Sequence, residues 1–249
     1  AQLTTTNIIF ANGSQFIIGD NTTGTTADGL SNLITGTAKD DLLAGLGGND
    51  SIDNTKNNTH DDIRTGAGND TISGGLGSDW IDAGTGDDTI NVVGVANNSQ
   101  ADTIAGGAGT DTLNLDFSND LNVANLGVGY QFVDAGGINK VAFHSASLDG
   151  IQTALGTAVT TVYANASSSS SQESLGFQTR VTTTGIEVVN IKATSVPDLV
   201  IYQGGSSYDG LGGNDTFYAN WSSATAAITW TNTPSATQTV NGVTVAGLE

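Results

Sequence analysis

Eight aspartates recur through residues 36–116 with a regularity that composition alone does not produce. They are Asp41, Asp50, Asp61, Asp70, Asp79, Asp88, Asp102 and Asp111, spaced 9, 11, 9, 9, 9, 14 and 9 residues apart. A carboxylate is a hard oxygen donor, and carboxylates brought close together either share a cation or repel one another. Five of the eight close glycine-rich runs: GLGGND at 45–50, TGAGND at 65–70, GGLGSD at 74–79, AGTGDD at 83–88 and GGAGTD at 106–111. Two residues after every one stands an aliphatic, in order Leu43, Ile52, Ile63, Ile72, Ile81, Ile90, Ile104 and Leu113.

The elements that must position these carboxylates follow from the two halves of the repeat. A six-residue glycine-rich run supplies backbone able to take φ > 0, and x-aliphatic-x is a short strand with its middle side chain turned inward. Repetition at this period predicts a coil of short parallel strands in an all-β chain. Two units complete one coil, so consecutive loops fall on opposite edges and same-edge loops stack at the strand spacing of about 4.8 Å. One edge then carries the loops ending at Asp50, Asp70, Asp88 and Asp111, all six residues long. The other carries those ending at Asp41, Asp61, Asp79 and Asp102, and only GGLGSD is regular there. Its first loop has Lys39 in a glycine position, its second runs NTKNNTHD, and its last is VVGVANNSQAD.

Two carboxylates about 5 Å apart repel by about 0.8 kcal/mol in water and by about 3 kcal/mol at an effective dielectric of 20. A column of four argues against folding without a counter-ion, and the chain carries 25 Asp plus Glu against 6 Lys plus Arg. Calcium suits the loops, because it takes six to eight oxygen ligands from carboxylates and carbonyls, whereas magnesium demands stricter geometry. The candidate ligands are the loop carboxylates together with carbonyls and amides beside the glycines. On the first pair of loops these are Asp40, Asp41, Gly45, Gly47, Asn49 and Asp50; on the next, Asp61, Gly66, Gly68, Asn69 and Asp70. Further on they are Gly75, Gly77, Asp79, Gly84, Gly86, Asp87, Asp88, Asp102, Gly107, Gly109 and Asp111. An affinity of roughly 10⁻⁴ to 10⁻³ M per ion, usual for extracellular modules, is expected, with folding coupled to binding.

GGLGSDWID and GGAGTDTLN match the nonapeptide G-G-x-G-x-D-x-aliphatic-x, so this region resembles the RTX (repeats-in-toxin) proteins. The resemblance covers about a third of the chain. It implies a parallel β-roll, calcium held between same-edge loops by aspartates and carbonyls, type I secretion and folding outside the cell.

Outside the repeat, residues 1–35 carry strand-like runs that would cap the first coil, and residues 117–200 read as a distinct β-rich domain, expected antiparallel. The tract ASSSSSQE at 166–173 reads as an exposed loop. The motif returns as GLGGNDTFY at 210–218, with Gly210, Gly212 and Asp215 as further candidate ligands and Ser206 where the preceding unit would have aspartate. Residues 201–249 are therefore expected to form a second, short roll. The abrupt start and the closing Leu248-Glu249 suggest a piece of something longer.

Composition narrows the function. A formal net charge of -19 excludes a basic surface for nucleic acid, and the absence of cysteine removes disulfides and thiolate metal sites. No apolar run is long enough for a membrane-spanning helix. His60 and His144 are the only histidines, there is no H-E-x-x-H and no G-x-S-x-G, and Ser145 would point to the opposite face of a strand from His144. The reading is a non-enzymatic, calcium-binding structural or adhesive module of a secreted bacterial surface protein, such as an S-layer protein or adhesin, partnered by its own copies or by cell-surface glycans. The alternatives are the export and folding module of a secreted hydrolase or toxin, decided by the parent sequence, and a carbohydrate-binding module, decided by a glycan array. Trp80, Trp221 and Trp230 are the aromatics that bear on the last.

Overall fold

The computed structural model describes residues 8–13, 15–18, 29–55, 58–93, 102–118, 128–133, 139–144, 178–193, 199–202, 207–212, 215–219, 225–228 and 236–248. The tract 166–173, Ser206, Trp221, Trp230 and most of the long loop before Asp102 lie outside them. Every described element is a strand. The chain forms two compact units, one of residues 1–93, 100–115 and 183–188, the other of 94–99, 116–182 and 189–249.

The first unit is a parallel β-roll. Its strands are β1 (Ile8–Ile9), β2 (Gln15–Ile18), β3 (Leu33–Thr35), β4 (Leu42–Gly47), β5 (Ser51–Asp53), β6 (Asn58–Thr59) and β7 (Asp62–Ala67). There follow β8 (Thr71–Gly77), β9 (Trp80–Thr85), β10 (Thr89–Val93), β11 (Asp102–Ala108) and β12 (Thr112–Asp116). From β2 onward successive strands alternate between two sheets, in the orders β1-β2-β4-β7-β9-β11 and β3-β5-β8-β10-β12, with β6 pairing β8 off this path and β1 antiparallel to β2. The register is set by the inward aliphatics: Ile17, Leu43, Ile63, Ile81 and Ile104 stack in one sheet. Ile34, Ile52, Ile72 and Ile90 stack in the other. All eight repeat aliphatics are buried, since a one-residue slip would turn every one of them to water.

The strands of the first sheet exceed the three residues that the repeat suggests, because alternation continues into the loop. The residue opening each loop, two beyond the aliphatic, also points inward, and Gly45, Asn54, Thr65, Ala83 and Gly106 are all buried. Outward positions carry polar residues. There Arg64 pairs with Asp62 at 2.9 Å and lies over the Trp80 ring at 4.6 Å, covering part of an aromatic that the alternation already turns to the outside.

In the second unit β13 (Val128–Val133) and β14 (Asn139–His144) pair antiparallel. The strands β15 (Gln178–Thr184), β16 (Val188–Lys192), β17 (Leu199–Tyr202), β18 (Ser207–Asp209), β19 (Thr216–Ala219), β20 (Gln238–Val240) and β21 (Val243–Ala246) complete the chain. Parallel pairing dominates: β13 with β17, β17 with β19, β16 with β18 and β18 with β21. Among the described residues of 117–200 the β13–β14 hairpin is antiparallel, and the parallel pairs show that parallel pairing extends well past the repeat.

Candidate metal centre

The position-six residues form two ladders, one along each edge of the roll. On the first edge the backbone N–H of Asn32 donates to Asp50 Oδ1 at 2.8 Å, that of Asp50 to Asp70 at 2.7 Å, that of Asp70 to Asp88 at 2.8 Å and that of Asp88 to Asp111 at 2.9 Å. The N–H of Asp111 donates to Glu187 Oε2 at 2.9 Å. On the opposite edge the N–H groups of Gln15, Asp41, Asp61 and Asp79 donate to Asp41, Asp61, Asp79 and Asp102, at 2.7, 2.6, 3.0 and 2.9 Å. One carboxylate oxygen of each aspartate therefore ties its coil to the preceding one, which is why the side chain must bear an oxygen. A weaker outer ladder runs through position five of the first edge. Asn49, Asn69 and Asp87 side-chain oxygens accept the N–H of Asn69, Asp87 and Thr110, and Asp40 accepts from His60 on the other edge.

Loop backbone follows the same columns. On the first edge the second loop position has positive φ in all four loops, at Leu46 (77°), Gly66 (103°), Gly84 (105°) and Gly107 (108°). The fourth position does likewise at Gly48, Gly68, Gly86 and Gly109. Glycine is required there for space as well as conformation: a Cβ on Gly84 would run into the Gly66 carbonyl oxygen, and one on Gly86 into that of Gly68. The carbonyls of each loop thus face the next loop in two files. Among the described residues of the opposite edge Gly75 and Gly77, in the one regular loop there, adopt this conformation, as does Gly13 ahead of Gln15, and Gly77 faces the Thr59 carbonyl.

The second carboxylate oxygens separate the edges. On the irregular edge Asp41 Oδ2 accepts the Thr37 N–H at 2.6 Å and the Thr37 hydroxyl at 2.9 Å. Asp61 Oδ2 accepts from the buried amide of Asn54 at 2.8 Å, and the same amide reaches the Gly74 carbonyl at 3.2 Å. On the regular edge Oδ2 of Asp70, Asp88 and Asp111 has no hydrogen-bond partner among the described residues, although all three residues are at most 1% exposed. Thr65, close to Asp70, gives its proton to the Ala83 carbonyl at 2.6 Å instead. Burial accordingly raises Asp70 and Asp111 above the usual carboxylate range and pushes Asp88 up to about 6. Asp79, buried and beside Asp102, is pushed up to about 8, and burial raises Asp102 to about 6.

Buried carboxylate oxygens without donors cost several kcal/mol unless a cation meets them. These residues fit calcium. The regular edge presents a file of such oxygens beside two files of carbonyls, all hard donors, along loops that repeat at one pitch. No three carboxylate or imidazole side chains converge among the described residues, so loop carbonyls must supply much of any coordination.

Gly210 and Asp215 repeat this arrangement in the other unit. A Cβ on Gly210 would meet Asp215 Oδ2 and the Gly247 carbonyl, as one on Gly45 would meet Asp50 Oδ2 and the Thr65 carbonyl. Leu211 (φ 65°) matches Leu46 in the identical GLGGND, while no described residue lies against Gly212. Three rungs are not aspartate: Gln15, Asn32 and Glu187. Their signal was the buried aliphatic two residues on, at Ile17, Ile34 and Val189.

Residues 26–56, 57–90 and 98–121 each match a family model that comprises four copies of the RTX calcium-binding nonapeptide repeat. Comparison with curated proteins gives no match. Such repeats bind multiple calcium ions, and proteins that carry them are typically secreted.

Proposed function

We propose that this chain, whose residues 26–56, 57–90 and 98–121 match the RTX calcium-binding nonapeptide repeat, is a non-catalytic structural or adhesive module of a bacterial surface protein that folds as calcium is bound outside the cell. Bound calcium supplies the positive charge and the multiple oxygen coordination that the buried carboxylates lack. The ions are held between successive loops of the regular edge, at the Asp50–Asp70, Asp70–Asp88 and Asp88–Asp111 steps. Position-six aspartates and the carbonyls beside Gly66, Gly68, Gly84, Gly86, Gly107 and Gly109 provide the ligands. The opposite edge holds fewer. The single observation that carries this reading is the file of buried Oδ2 atoms at Asp70, Asp88 and Asp111 without a hydrogen-bond partner among the described residues.

Circular dichroism of the whole chain in excess chelator and in millimolar calcium tests it. A gain of β signal with calcium is expected, and identical spectra would reject the reading. Electron microscopy of the calcium-loaded protein addresses the surface role, with ordered sheets expected of a lattice-forming module.

A further inference from the structure

The ladder on the regular edge continues past the last nonapeptide. Asp111 is followed, after an excursion of some seventy residues, by Glu187, whose Oε2 accepts the Asp111 N–H at 2.9 Å. The N–H groups of Glu187 and Val188 return bonds to the Asp111 carbonyl at 3.2 and 2.9 Å. The turn before it reaches the loop from above: Gly185 (φ 59°) packs on the backbone of Gly107, and its carbonyl oxygen abuts the point where a Cβ of Gly106 would stand. Asp111 Oδ2, buried and without a hydrogen-bond partner, lies 2.7 Å from that same point. At the first regular step the Thr65 carbonyl and Asp50 Oδ2 converge in this way over Gly45. The turn at 183–187 therefore presents to the last loop the oxygen that a further nonapeptide loop would present.

We infer that the Asp111–Glu187 step is an additional calcium site, built from Asp111 Oδ2, the Glu187 carboxylate and the Gly185 carbonyl. It closes the ion column with a residue that lies outside the repeat. Glutamate suits the place because its extra methylene lets one carboxylate oxygen take the Asp111 N–H while the exposed end of the side chain keeps the other free to turn toward the cation. The site would make the ordering of residues 183–188 depend on calcium, although these residues follow the last repeat aspartate by more than seventy positions. The inference rests on calcium binding by the repeat and extends it.

The test is calcium stoichiometry of the full chain by isothermal calorimetry, with hydrogen exchange of residues 183–188 as second readout, for wild type, Glu187→Gln and Asp70→Asn. Glu187→Gln keeps an oxygen for the Asp111 N–H, so it is expected to fold in saturating calcium, to bind one ion fewer, and to lose the calcium-dependent slowing of exchange at 183–188. An unchanged ion number with unchanged protection overturns the inference. Absence of binding in wild type would instead refute the calcium reading itself, whereas loss of ions in Asp70→Asn but not in Glu187→Gln refutes only the additional site. Should Glu187→Gln fail to fold, Glu187→Asp decides. Recovery of the full ion number with a carboxylate one methylene shorter sustains the site, and failure of both variants to fold makes Glu187 a structural rung and sinks it.

Discussion

Replacing Asp88 by asparagine should stabilise the calcium-free roll and weaken the calcium-bound one. The amide oxygen introduced by Asp88→Asn would still accept the Asp70 N–H, which lies 2.8 Å from the carboxylate it replaces. The new amide nitrogen would have an acceptor two residues back, because Asn32, the asparagine rung of the same ladder, donates to the Leu30 carbonyl at 2.8 Å. Burial raises the Asp88 carboxyl from 3.8 to about 6, so at 1.36 kcal/mol per pH unit its ionisation opposes the ion-free fold by about 3 kcal/mol, reduced to about 1–2 kcal/mol by water at the loop. With calcium present the substitution removes a charged ligand from two adjacent steps, and about tenfold in affinity at each, ~1.4 kcal/mol, is expected. The assay is circular dichroism at pH 7.5, first in chelator along a trimethylamine oxide titration that drives folding without the ion, then along a calcium titration. The variant should fold at lower osmolyte and higher calcium than wild type. Asp61→Asn should behave oppositely in chelator, since it trades the charged acceptor of the Asn54 amide for a neutral one, a loss of about 1–2 kcal/mol. Should Asp88→Asn destabilise the ion-free fold as Asp61→Asn does, the edges are equivalent and the reasoning fails.

Acid should substitute for calcium in part. The folded-state values of Asp79, near 8, and of Asp88 and Asp102, near 6, lie above the unfolded value, so their contribution to the ion-free fold is fully present below about pH 4 and is lost as pH rises through 6 to 8. β signal in chelator should fall over that window, and a flat or rising profile would contradict it. Leu46→Gly should raise the melting temperature in calcium, because Leu46 is half exposed and held at φ 77°; relief of the left-handed strain outweighs the added unfolded-state entropy by about 0.5–1 kcal/mol. Asn54→Asp should lower stability in chelator by about 3 kcal/mol, by facing Asp61 with a second carboxylate, and calcium should restore most of the loss; an ion-independent effect on thermal unfolding would refute that account.

The roll was legible because its signal is geometric. Aspartate at one position and an aliphatic two residues later fix both the turn and the face, and every such aliphatic from Leu43 to Leu113 is buried. The division into two edges followed from the alternation of loops. What escaped was chemistry specified by tertiary neighbours. Gln15, Asn32 and Glu187 occupy the aspartate's place with other oxygen donors, so a search by residue type passed over them while their inward partners kept the period. Asn54 stood inside the irregular loop NTKNNTHD with nothing local to mark its amide as the donor to Asp61, a bond that exists only once the coil closes. Parallel pairing of β17 with β19 and of β18 with β21 was hidden because that segment lacks regular turns, although its strand runs are ordinary.

The two edges answer one physical problem in different ways. Stacking coils through a side chain that accepts the preceding N–H requires a second oxygen to be buried beside the first, and that oxygen needs a positive partner. Thr37 and Asn54 provide it from within the chain at Asp41 and Asp61, using a hydroxyl and an amide, and in doing so give up the regular loop; Asn54 heads an eight-residue excursion in place of six. The edge of Asp50, Asp70, Asp88 and Asp111 keeps every loop at six residues with left-handed backbone at its second and fourth positions, and has no such donor for three of its oxygens. Internal neutralisation thus goes with the irregular loops at Asp41 and Asp61, and its absence with the regular loops at Asp70, Asp88 and Asp111. Calcium dependence in this chain is therefore set less by the number of aspartates than by which of their second oxygens the chain leaves without a donor.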